Sequence, residues 1–237
     1  MPKRFFKPYY NYNNYKLGLL NNIKVLVLGA SFYCTYNKKS DKYQCPEWEK
    51  CTSKKNKDSS SFNKTCPYYN DKEIRVYLED IVTSEINDYL KGCKFSSYDN
   101  FTDFMAEYTS LNKEKLWGRI AFTNYVQYFL PSFNTPSQTK DDIRNFEAFL
   151  ETLEELKPDI IIVWGTRITD HFKRKYIKRI VDKLEMRENS YLYDMSYNNR
   201  NYILVNPYHP CYNEWSGFKQ ALDIAFDEIA KNRKYIK

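Results

Sequence analysis

A few residues at the ends of apolar runs carry most of the chemical capacity of this sequence. His209 stands in Asn206-Pro207-Tyr208-His209-Pro210-Cys211. A donor placed beside an oxygen on which negative charge develops lowers a barrier, typically by about 3 kcal/mol. Asn124 lies in Phe122-Thr123-Asn124-Tyr125-Val126. Its amide offers one acceptor and two donors, a set that can pair with a complementary polar edge of a ligand. Leu28-Gly29-Ala30-Ser31-Phe32-Tyr33-Cys34 adds two rings able to stack on a planar group, Phe32 and Tyr33. Cys34, Cys45, Cys51 and Cys66 run as Cys-x10-Cys-x5-Cys-x14-Cys and could form a tetrahedral zinc site. They lack a close Cys-x2-Cys pair, and free or packed thiols are the alternative; Cys93 and Cys211 read as buried or loop thiols. Each feature also has an ordinary structural reading. A glycine after a strand is a common turn, a strand-end asparagine often forms a turn, and a histidine between prolines can brace a loop.

For these residues to act together, regular elements must bring them to one place. Ile23–Leu28 is a short apolar run closed by Gly29, the pattern of a buried parallel strand. Residues 35–70 are polar, rich in Lys, Ser and Asn, and read as an insertion with a solvated tip at 54–61. Helical spacing resumes at Ile74, Leu78, Ile81, Val82, Ile86 and Leu90, stopped by Gly92. A second helix is expected over 99–110, with Phe101, Phe104, Met105 and Tyr108 on one face. Arg119–Val126 is the next strand. Thr139-Lys140-Asp141-Asp142 opens a helix carrying Ile143, Phe146, Leu150, Leu153 and Leu156, which ends before Pro158. Asp159–Trp164 is a strand closed by Gly165, with Thr166 as the N-cap of a basic helix. The cationic side chains of that helix, positions 173, 174, 175, 178 and 179, spread around most of it. They read as a phosphate track or as a solvated face with Phe172, Tyr176 and Ile180 packed inward. Tyr202–Val205 is the fourth strand. The last helix runs over about 214–231, with Trp215, Phe218, Ala221, Leu222, Ala225 and Phe226 inward. Alternating strands and helices make this an α/β chain with a mainly parallel sheet. In such sheets ligands bind at the carboxyl ends of the strands, where Gly29–Cys34, Asn124–Pro131, Gly165–Thr166 and Asn206–Cys211 converge.

The order of these four segments resembles the uracil-DNA glycosylase superfamily. The similarity covers roughly residues 23–34 and 117–217. The four motifs are Gly29–Cys34 after the first strand, Thr123-Asn124 with a later Pro131, Leu156–Thr166 with Pro158-Asp159 and Gly165-Thr166, and His209-Pro210-Cys211. The resemblance implies a three-layer sandwich around a mainly parallel four-stranded sheet, formed as one domain over 1–237. It implies that Gly29, Ala30 and Ser31 wall the pocket and hold the water, that Phe32 or Tyr33 stacks the base, and that Asn124 reads it. His209 then stabilises the leaving base. Thr166, Arg167, Pro210, Cys211 and Tyr212 face the DNA backbone. Ser31 stands where many members carry Asp, Glu or Asn, and Cys211 where a Ser is usual. Tyr33 matches a tyrosine that excludes thymine in some members. Gln127 and Tyr128, and Asn145 and Phe146, occupy the regions where some members hold iron–sulfur cysteines, so that cluster is not expected here.

Composition bounds the rest. The chain has 237 residues, 37 Lys plus Arg against 30 Asp plus Glu, and a net charge of +7. That excess suits a polyanion, although Lys, Asn, Tyr and Ile together also mark an AT-biased genome. With 42% hydrophobic residues the chain can bury a core. Mean hydropathy is −0.74, and no apolar run is long enough for a spanning helix. The expectation is a cytoplasmic monomer that acts on a flipped uracil-like or modified base in DNA. It needs no cofactor for the chemistry and has a structural zinc as an option. The competing readings are an inactive nucleic-acid-binding module on the same scaffold and a hydrolase of small nucleosides or nucleotides.

Overall fold

A computed structural model describes residues 6–33, 36–37, 42–43, 80–127, 129–130, 143–165, 172, 177–189, 191–206, 209–210 and 215–234. The strands are β1 (Val25–Gly29), β2 (Phe32–Tyr33), β3 (Tyr36–Asn37), β4 (Lys42–Tyr43), β5 (Ile120–Asn124), β6 (Phe129–Leu130), β7 (Ile160–Val163), β8 (Lys183–Met186), β9 (Leu192–Tyr197) and β10 (Arg200–Val205). The helices are α1 (Tyr12–Tyr15), α2 (Ile81–Leu90), α3 (Ser96–Thr109), α4 (Lys113–Arg119), α5 (Ile143–Leu156) and α6 (Ser216–Lys234).

The main sheet has six strands in the order β5-β1-β7-β10-β9-β8. The first four are parallel, as the apolar runs predict, and β9 and β8 add an antiparallel extension. The expected four-stranded sheet is therefore corrected to six strands of mixed direction. The reason is local. β9 turns back into β10 through Asn198 and Asn199, both at positive φ, the conformation of a tight two-residue hairpin turn. β8, Lys183-Leu184-Glu185-Met186, is too short for its alternation to stand out, and only Leu184 is half-buried against the core.

β1 and β7 are buried at every position because both faces of the sheet are covered. One face packs Val25, Val27, Ile120, Phe122, Ile160 and Ile162 against α2, α3, α4 and α6. The other packs Leu26, Leu28, Ile161 and Val163 against α5 and Phe172, Ile177 and Val181. The strands thus form the middle of three layers. Each fully buried Phe, Leu or Ile contributes roughly 1.5–3 kcal/mol. The inward faces expected for α3, α5 and α6 are found. Helix α4 was not expected; Asn112 caps it by accepting from the Lys115 N–H at 2.9 Å. Ile180 is exposed rather than packed inward, because the chain there forms a short 3₁₀ turn, Ile177–Arg179, that turns Ile177 and Val181 to the core. Cys93 is exposed in the turn after α2.

Two devices close the sheet at its margins. Tyr9 pairs antiparallel with Phe122 and covers the outer edge of β5. At the amino ends of the strands, Asp159 accepts from the Lys24 N–H at 2.8 Å and from Arg233 at 2.6 Å, with Arg200 3.8 Å away.

Candidate active site at the carboxyl edge of the sheet

The register that builds the sheet also assembles the site. Gly29 pairs with Asn124 across β1 and β5. On the other side of β1, the Trp164 N–H donates to Leu28 O at 2.9 Å, which extends the β7 ladder by one residue. Side chains alternate along a strand, so Asn124, Gly29 and Trp164 form one row across three neighbouring strands. This row lies above Phe122, Val27 and Ile162, on the face covered by α2, α3, α4 and α6.

Gly29 is required there. A Cβ on it would sit 2.3 Å from Asn124 Oδ1 and 2.8 Å from Phe122 Cζ. The Asn124 side chain therefore leans across the end of β1. The residue is 5% exposed, and among the described residues no hydrogen bond reaches its side-chain amide. The chain after β5 is held down on the end of β1: Tyr125 N–H donates to Gly29 O at 2.8 Å and Val126 N–H to Ala30 O at 3.0 Å. Further out, β2 and β6 pair in parallel through Phe32 with Phe129 and Tyr33 with Leu130.

His209 reaches the same edge from the loop after β10. Gly165, at φ +98°, takes a conformation that other residues rarely adopt, and a Cβ on it would lie 3.6 Å from the His209 Cβ. The His209 ring is edge-on to Trp164 with centroids 6.3 Å apart, and the Trp164 ring lies 5.2 Å from that of Phe122. Asn124, Gly29, Phe122, Trp164 and His209 are thus contiguous. The loop is tied to α3 by Asn100, whose Nδ2 donates to Pro210 O at 2.9 Å.

Ser31 stands just past β1 with its Oγ buried and without a hydrogen-bond partner. Trp164 Nε1 is likewise buried without a partner. Such groups are uncommon in folded proteins, and a bound molecule or water is one way they are satisfied. Phe32 is 2% exposed, and its ring packs edge-on against Phe6 at 5.1 Å. The Tyr33 side chain, Thr166, Arg167, Cys211 and Tyr212 lie outside the described residues, as do Cys34, Cys45, Cys51 and Cys66. Among the described residues no group of three metal-binding side chains occurs.

Sequence reasoning missed two supporting features. The first is Glu85, on the inward face of α2 between Val82, Ile86 and Tyr89. Its carboxylate accepts from Tyr98 Oη at 2.8 Å, and Tyr98 packs 5.4 Å from both Phe122 and Trp164. Burial pushes the Glu85 carboxyl up to about 7, with the Tyr98 bond opposing and Asp88 adding to the rise. An acidic residue inside the apolar stripe of a helix is the signal that could have found it. The second is Gln127, whose backbone N–H donates to Asn145 Oδ1 at 2.9 Å and whose Nε2 donates to Asn124 O at 2.7 Å. Its Oε1 accepts from the Phe6 N–H at 2.8 Å. The positions noted only for lacking cysteines are here joined by amides.

One groove of about 410 Å³ lies away from this edge, between β8–β10 and α6. Arg187 bridges Asp194 and Glu228 there, a set that closes on itself and has a structural role.

Fold and site together define a class: an α/β protein whose candidate ligand edge lies at the carboxyl ends of parallel strands. No family model matches the chain, and no curated protein matches it. No helix among the described residues is long and apolar enough to cross a membrane.

Proposed function

We propose that this protein is a monofunctional DNA glycosylase of the uracil-DNA glycosylase type. It would hydrolyse the N-glycosidic bond of a flipped uracil-like or modified base. The observation that carries the reading is the Asn124 amide, which leans over Gly29 at the carboxyl edge with no hydrogen bond from described residues, on the same edge as His209.

The chemistry follows from those groups. Extruding a nucleotide brings its base edge to Asn124, whose donors and acceptor match a pyrimidine carbonyl and ring N–H. As the C1′–N bond breaks, its electron pair leaves with the base and negative charge grows on a base oxygen. His209 donates to that oxygen and stabilises the transition state. A water held at Ser31 adds to C1′ and loses a proton, while the leaving base takes up a proton, which gives an abasic site and the free base. Ser31 is not a general base, so this route is dissociative, with the water positioned rather than deprotonated in advance. In this reading the protein is a cytoplasmic monomer whose basic excess meets DNA.

A non-catalytic nucleic-acid-binding module on the same scaffold is the second reading, favoured by Ser31 in place of a carboxylate. A hydrolase of small nucleosides is the third. Incubation with duplex and single-stranded DNA carrying a panel of altered bases, followed by alkali cleavage, separates them. Abasic sites support the first reading. Binding without cleavage supports the second, and release of base from free nucleosides alone supports the third. Asn124→Asp removes both amide donors and adds a charge. It should stay folded and lose activity on uracil-like bases; unchanged relative rates on uracil and cytosine would remove Asn124 from the site.

Cys34, just before the insertion, and Cys45, Cys51 and Cys66 within it are proposed to hold one structural zinc. Purified protein should then carry about one zinc per chain, and chelation should lower its melting temperature. Freshly prepared protein without zinc would end that proposal.

A further inference from the structure

We propose that Gln127 is the positioning residue of the site and sets the orientation in which Asn124 meets a ligand. The functional half of this proposal rests on the base-reading role given to Asn124 above. Gln127 uses its backbone N–H, its Oε1 and its Nε2 in three buried hydrogen bonds, to Asn145 Oδ1 at 2.9 Å, from Phe6 N–H at 2.8 Å and to Asn124 O at 2.7 Å. The partners come from three segments: the amino-terminal segment at Phe6, α5 and the end of β5. Phe6 and Asn145 are fully buried, and Gln127 is 9% exposed.

The consequence falls on a single peptide plane. Between Asn124 and Tyr125, the carbonyl is held by Gln127 Nε2 and the N–H by Gly29 O at 2.8 Å. With both groups fixed, this plane cannot rotate; the β1–β5 ladder holds the peptide before Asn124, and the two together fix the Asn124 Cα–Cβ direction. The side chain then rests in the space left by the missing Gly29 side chain. Gln127 thus acts on a ligand through Asn124 and without touching it. It also couples the site to the amino-terminal segment, because the Phe6 N–H and the Asn124 carbonyl share one side-chain amide.

Gln127→Glu tests this with a built-in reversal. The ionised carboxylate still accepts from Phe6 N–H but has no proton to give Asn124 O. Protonated, its carbonyl accepts and its hydroxyl donates, which restores both bonds. Burial places such a carboxyl above the ordinary carboxylate range, so pH 8 and pH 5 sample the two states. The Asn124 side-chain NH₂ signals, assigned in ¹⁵N spectra with Asn124→Asp, should be displaced from wild type at pH 8 and return at pH 5. With circular dichroism showing a folded protein at both pH values, discrimination between uracil- and cytosine-containing oligonucleotides, which differ at the edge Asn124 would read, should fall about tenfold or more at pH 8. It should recover at pH 5 relative to wild type at the same pH. Gln127→Met, which loses both side-chain bonds, should show the displacement without recovery, and it carries the test if Gln127→Glu does not fold. Unmoved Asn124 signals in a folded variant overturn the proposal. Displaced signals with unchanged discrimination leave the positioning intact and overturn the base-reading role, as does a wild-type protein that discriminates between no bases.

Discussion

Glu85 is a carboxyl on the apolar face of a helix, and its protonation couples to stability in a direction that can be worked out. In the unfolded chain it titrates near 4.5; in the fold, desolvation raises it to about 7. Between these values the folded state keeps a proton that the unfolded state has released. Stability from this group therefore falls as pH rises from about 4.5 to about 7 and stays lower above that. Glu85→Gln keeps an acceptor for Tyr98 and removes the ionisation. It should melt higher than wild type at pH 8, with the advantage shrinking towards pH 4.5; paired melts at the two pH values measure this, and an advantage of equal size at both would contradict the desolvation account. His209 belongs to the same scale. Loss of one transition-state donor should lower excision by His209→Ala about 10²-fold or more while DNA affinity changes little. Equal losses of binding and turnover would make it a positioning residue. Asn124 and His209 were legible because strand ends are where a parallel sheet presents ligand groups. Gln127 was not, because its partners lie 3, 18 and 121 residues away and no local pattern announces them.

At the scale of elements, the row across β5, β1 and β7 makes a glycine part of the candidate site's geometry. Gly29→Ala forces a methyl into the Asn124 amide and the Phe122 ring. Overpacking of this kind costs about 1–3 kcal/mol. Differential melting should show that loss, and discrimination between bases should fall by more than folding explains, because Asn124 must move. A variant that melts lower yet keeps wild-type discrimination would mean that Asn124 does not depend on this contact. The buried strands β1 and β7 were readable as short apolar runs because both faces are covered. β8 and β9 were not, since β8 sits at an exposed edge and carries Lys183 and Glu185 there. The paired asparagines at 198 and 199 were the available hairpin signal. Helix α4 was hidden by its length: seven residues give an apolar period too little room to declare itself.

For the whole molecule, the site edge and the opposite edge of the sheet divide the work. At the amino edge, Asp159 gathers β1, β10 and α6 through Lys24, Arg200 and Arg233. The Pro158-Asp159 pair that contributed to the family resemblance is thus a fastening, remote from Asn124 and His209. Asp159→Asn removes charge-assisted bonds, each of which contributes about 1.5–3 kcal/mol. For a chain of this size each kcal/mol shifts the melting temperature by about 2–4 °C, so the loss of one such bond is expected to lower it by roughly 3–12 °C. Base discrimination should survive at temperatures where the variant is folded; its loss there would show that the two edges are coupled. The three-layer arrangement itself was legible in the alternation of elements. The antiparallel extension lay outside that alternation.

The position of β1 between β5 and β7 has a consequence during synthesis. Lys24 and Asp159, which meet at the start of the β1–β7 ladder, are 135 residues apart. At about 5–20 residues per second, β1 leaves the ribosome roughly 7–27 s before its second neighbour exists. Through that interval Val25-Leu26-Val27-Leu28 is an apolar strand with at least one side unpaired, the exposed-edge condition that makes nascent chains prone to aggregation. The candidate site shares this delay: Gly29 and Asn124 are made early, but the row is complete only once Trp164 arrives, and His209 must follow. Nascent chains arrested before β7 should remain open to protease around β1, whereas the released full chain should protect it.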